Sequence, residues 1–238
     1  MNNSKPLSLP VEISPSKEVF PTTDIRLSAL GYYIENLDEF VSWATNQTHV
    51  REKHKIENLE DPVDQGEREG TLATMMSTGQ FSLESLIYGS TMVGVYATFE
   101  STVTQIFKYC AYEYSLNNFE KYKKEMNYSK LNFPILASQY SSDILKLPLF
   151  CDTLSFQSVD ILRRLRNSFV HRGSLISELD VDLQSFISRS ENGSKYFSKN
   201  DLRWHLKKAG LDLFFNQVNN TLSAFSSIAI RKYHPPIF

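Results

Sequence analysis

From Asp24 onward, apolar residues recur every three or four positions, at Leu27, Leu30, Ile34, Leu37 and Val41. That spacing is one face of an α-helix, and Asp24 suits its N-cap. The continuation to about Asn58 is charged and reads as a solvent-facing extension of the same helix. Residues 1–22 carry Pro6, Pro10, Pro15 and Pro21 among Ser and Lys, the mark of an irregular N-terminal arm. Residues 58–80 are acidic, contain Pro62, Gly66, Gly70 and Gly79, and read as a loop.

A second long helix is expected from about Ser82 to Tyr114, apolar nearly all round and therefore central. Residues 117–150 read as a short charged helix, a break at Pro134, another short helix and Pro148. A third strong helix spans about Thr153 to His171, with Gly173 where a terminator belongs. Residues 177–199 suggest a short helix and a polar loop. A last helix covers about 200–231, kinked at Gly210, with Leu211, Phe214, Phe215, Val218, Leu222 and Phe225 as its apolar set. These elements predict an all-α fold: an up-and-down bundle of four to five main helices with short extra helices, in one domain over residues 23–238.

Composition narrows the chemistry. With 25 Lys+Arg against 27 Asp+Glu and a net charge of -2, the chain has no global basic field, so any nucleic-acid site is a local cluster. Cys110 and Cys151 lie in apolar stretches and read as small buried hydrophobes in a reducing compartment. No run approaches a membrane span, and the first residues lack an apolar signal core; a cytoplasmic protein without a membrane partner is expected. No P-loop, dinucleotide fingerprint or nucleophile elbow occurs, and no cofactor is called for.

The chemistry-bearing segment is Ile161-Leu162-Arg163-Arg164-Leu165-Arg166-Asn167-Ser168-Phe169-Val170-His171-Arg172. At roughly 100° per residue, Val159, Leu162, Leu165 and Phe169 form a buried stripe, while Arg163, Asn167 and His171 form a polar ladder. Arg166 falls within about 40° of the stripe's centre, where a cation needs a partner. Arg and His suffice for metal-free RNA cleavage, because the ribose 2′-hydroxyl supplies the nucleophile. His171 can move a proton near neutral pH. Arg166 offers a planar donor fork to a phosphorane, and Asn167 can orient the imidazole or hold a phosphate oxygen. Arg163, Arg164 and Arg172 would steer RNA. Glu100, among Tyr96, Val103 and Phe107, is the natural acid to hold Arg166 in place. One helix offers one His, so two such helices across a two-fold axis would supply both base and acid.

The string Arg166-Asn167 followed by His171 resembles the R-x4-6-H motif of the HEPN superfamily (higher eukaryotes and prokaryotes nucleotide-binding). Tyr96-Ala97-Thr98-Phe99-Glu100 is similar to the "Y-a-x-x-E" helix of some prokaryotic members. The resemblance covers roughly residues 82–230 in arrangement but specific residues at only these two places. It implies a helical bundle, a homodimer through the motif helix and metal-independent endoribonuclease activity with RNA as partner. Many members act in toxin–antitoxin, antiviral-defence or abortive-infection systems, which implies an antitoxin or defence-system partner. Some toxins paired with a nucleotidyltransferase antitoxin carry Tyr two residues after the His; here that position is Gly173, which does not support regulation by tyrosine modification.

Blander assignments stand beside these. His171 and Asn167 also suit a helix C-terminal cap, and the arginines a solvated charged face. His49 and His54 on a charged helix lack the partners of a metal site. His205 beside Trp204 reads as packing, and the abundant Tyr and Phe as core. A module of the same fold that binds RNA, a nucleotide or a protein without cutting is the alternative function.

Overall fold

In a computed structural model, the structure describes residues 19–113, 116–126, 132–147, 154–172, 175, 179, 181–188, 190–200 and 203–233. The elements are α1 (Val19–Glu35), α2 (Leu37–Glu57), α3 (Pro62–Glu113), α4 (Phe119–Glu125), α5 (Phe133–Asp143), α6 (Leu154–Arg172), α7 (Val181–Ser188), α8 (Ser190–Tyr196), β1 (Phe197–Asn200), β2 (Arg203–Leu206) and α9 (Lys208–Tyr233). The fold is all-α, with α1–α2, α3, α6 and α9 as main helices.

The spine is α3, 52 residues long, against which α1, α2, α6 and α9 all pack. Its second half buries Tyr88, Met92, Val95, Tyr96, Phe99, Val103, Ile106, Phe107 and Cys110, spaced one, three and four apart, so one helix serves several neighbours. Phe107 is a hub. Its ring meets Phe119 of α4 and Tyr140 of α5 at 4.8 Å each, and Phe225 of α9 at 5.6 Å. Caps set the short elements: Asn118 Oδ1 accepts from Glu120 N at 2.7 Å, and Asn132 Oδ1 from Ile135 N at 3.0 Å. Lys232 of α9 donates to the Leu145 and Lys146 carbonyls at 2.8 and 2.7 Å, covering the end of α5.

Several expectations need correction. Residues 62–80 are the first half of α3 and not a loop. Asp61 Oδ1 accepts from Val63 N at 2.8 Å, and Pro62 occupies the first helical position, where its missing N–H costs nothing. The first helix begins at Val19, so Asp24 lies inside it and is no N-cap, and residues 19–22 do not belong to an irregular arm; residues 1–18 lie outside the described set. The first helix is also divided at Asn36, whose Nδ2 donates to Tyr32 O at 2.7 Å. Residues 197–206 form a two-stranded antiparallel hairpin, Phe197 opposite Leu206 and Lys199 opposite Trp204, so the last helix starts at Lys208 and not near 200. Pro134 does not break a helix; it sits in the first turn of α5. Gly210 lies within α9 because a Cβ there would come within 2.7 Å of the Tyr196 carbonyl. Gly173, Pro148 and Cys151 fall outside the described residues; Cys110 is buried and free.

Candidate functional site at the end of α6

α6 folds as an amphipathic helix because Val159, Leu162 and Leu165 are fully buried against α3 and α9. Its last two turns are held by two contacts that sequence reasoning missed. Ser168 is buried, and its Oγ accepts from Trp204 Nε1 of β2 at 3.3 Å. Phe169 packs its ring onto the backbone of α3 at Gly89. The alternation Trp204-His205-Leu206 was the available signal for the strand that supplies the first contact.

Arg166 is half-buried, as its place near the apolar stripe demanded. Its Nη1 donates to Asn167 Oδ1 at 2.8 Å, while its Nε is buried without a hydrogen-bond partner among the described residues. Asn167, itself half-buried, is therefore engaged by Arg166 through its carbonyl oxygen. His171, one turn further on, is exposed, next to Val170, itself 47% exposed.

Glu100 of α3 shares this environment. Burial pushes its carboxyl above the ordinary 4.5, opposed by the Tyr96 hydroxyl on the same helix and by the charges of Arg166, Arg163 and Lys123. Glu100 thus lies within electrostatic reach of Arg166.

The other arginines are already occupied. Arg163 Nε lies 2.9 Å from Asp160 Oδ1, and Arg164 lies 4.0 Å from both Asp160 and Asp182. Arg172 ends the helix, with its side chain outside the described set. Asp160, one turn upstream, is the residue that orders this basic face.

A separate cleft of about 460 Å³ opens between α2, α3, β2 and α9, lined by Asp38, Glu84, Ser85, Tyr88, His205 and Lys208 among others. In it Ser85 Oγ and His205 Nδ1 are 2.6 Å apart, and the Tyr88 hydroxyl donates to Asp38 at 2.5 Å. Burial and then Arg203 hold His205 below its ordinary 6.5. None of Arg166, Asn167 and His171 lines this cleft. His49 and His54 are exposed on α2, and among the described residues no three His, Cys, Asp or Glu side chains are grouped for a metal ion. No described helix is long and apolar enough to cross a membrane.

Compared with known proteins, the chain matches no family model, no curated protein and no solved structure.

Proposed function

We propose that the chain is a HEPN-type, metal-independent endoribonuclease acting as a homodimer through α6, in a toxin or antiviral-defence role. The reading rests on one arrangement: Arg166 and Asn167 joined at 2.8 Å, backed by Glu100, with exposed His171 one turn on. A guanidinium whose Nε is buried and unpartnered costs stability. A phosphate docked on this face would give that Nε the partner it lacks among the described residues.

In this reaction the imidazole of one copy takes the proton of the ribose 2′-hydroxyl. The oxygen attacks the adjacent phosphorus, and Arg166 stabilises the charge on the phosphorane. The bond to the 5′-oxygen breaks, and that oxygen takes a proton from the imidazolium of the second copy. The products are a 2′,3′-cyclic phosphate and a 5′-hydroxyl.

The test is RNA cleavage in excess chelator, wild type against His171→Ala at matched fold and dimer content. Cyclic-phosphate products from the wild type alone support the reading; unchanged cleavage by the variant ends it. The alternative is a non-catalytic module of the same fold that binds RNA, a nucleotide or a protein; the pairing of Arg163 and Arg164 with carboxylates takes away cations that would steer RNA to a cutting site. Salt-dependent RNA binding without product would mark its RNA-binding form.

A further inference from the structure

The side of α1 and α2 turned away from the core carries Tyr32, Tyr33, Phe40 and Trp43, which are 71%, 51%, 50% and 59% exposed, followed by Val50. On the wheel of α2, Phe40, Trp43 and Val50 fall within an arc of about 80°, away from the buried Val41, and Tyr32 and Tyr33 continue the exposed aromatics on α1, across the turn at Asn36. The rings of Phe40 and Trp43 stack with centroids 6.1 Å apart. Several large aromatics aligned on one exposed face are the make-up of an interface and not of a solvated helix.

Charge selects what covers it. Glu35 and Glu39 flank the first half of the stripe. Arg51, Lys53 and Lys55 lie in the second half, against Glu52 and Glu57. Three cations against two carboxylates leave this half net positive, and its ion pairs Lys55–Glu52 and Lys53–Glu57 are exposed enough for solvent to weaken them. A rod negative at one end and positive at the other is complementary to itself only when reversed. Glu35 at the end of α1 and Lys53 near the end of α2 lie at similar distances on either side of Trp43 along the chain. Reversal about a point beside Trp43 therefore sets each Glu35 near the other copy's Lys53. A uniformly anionic partner such as nucleic acid would suit one half of the stripe and be repelled by the other.

We propose that a second copy of this chain docks antiparallel on the α1–α2 face, about a two-fold axis beside Trp43. The stripe from Tyr32 to Val50 is roughly 27 Å long. A stripe one helix wide is a small interface, of the kind that weak, reversible association uses. This face lies on different helices from α6, and the inference stands whether or not the chain cuts RNA.

The chain has two tryptophans; Trp204 is 1% exposed and Trp43 59%, so acrylamide quenching reports on Trp43. As concentration rises through the micromolar range, quenching should fall while sedimentation mass rises. Trp43→Ser should abolish that mass increase with circular dichroism and melting unchanged. Glu35→Lys and Lys53→Glu should each weaken association several-fold, and the double swap should restore it. A mass increase with Trp43 still fully quenchable would place assembly on another face and overturn the proposal. So would no association at all, or a double swap worse than either single change.

Discussion

The ring of Phe169 occupies the space a side chain on Gly89 would need: a Cβ there would lie 2.2 Å from the ring edge. The glycine is required by this close approach, which seats the last turns of α6, and with them His171, against α3. Gly89→Ala should force the ring aside, costing about 1–3 kcal/mol of stability by overpacking and lowering RNA cleavage. Phe169→Leu in the same chain should recover part of both losses, seen as a coupling energy in a double-mutant cycle of denaturant melts. Additive losses would mean that the two residues do not press on one another.

Arg166 should separate activity from stability. Arg166→Met removes a buried, unpartnered Nε and keeps the apolar stem, so thermal stability is expected to hold or rise. Cleavage should fall by about 100-fold or more with the loss of the guanidinium. A destabilised protein with unchanged cleavage would make Arg166 a structural residue.

Glu100 predicts a pH dependence of known sign. Its folded pKa is raised above 4.5, so the native state binds the proton more tightly than the unfolded chain, and stability declines as pH rises through 4.5 and beyond. Glu100→Gln should flatten that part of the stability curve and raise the melting temperature at neutral pH, as followed by calorimetry.

His205 gives the opposite slope. Its folded pKa lies below 6.5, so stability is complete above that value and is lost as pH falls through 6.5 toward the lower folded value. His205→Asn should reduce the acid loss in this window. A variant as acid-sensitive as the wild type would assign the loss to other groups.

Much of the bundle was legible because burial imposes its period on the chain. In the second half of α3, in α6 and in α9, each apolar stripe faces packed neighbours, so spacing alone marks the helix. Over residues 62–74, which run beside α2, α3 buries one side chain, Leu72, while Gly66 and Gly70 stand in open space. No stripe was written there, and its glycines read as breakers. The pair Asp61-Pro62 did carry the N-terminal signal, and it was outweighed by glycine count. The hairpin was missed because its strands are four residues each, too short for alternation to stand out beside the helices around it. At the candidate site, Arg166, Asn167 and Glu100 could be read from one helix and one apolar context. Gly89 and Trp204 could not, since they act through contacts between distant segments.

The length of α3 also orders the birth of the protein. The docking partners α1 and α2 precede it in the chain, so a nascent polypeptide can pack them onto α3 once residue 113 has emerged. α6 is then synthesised before both β2, which holds its end through Trp204, and α9, which covers its apolar stripe. The half-made chain therefore carries Arg166 and His171 on a helix that has only α3 to pack against. The seat for His171 is completed only as translation reaches α9.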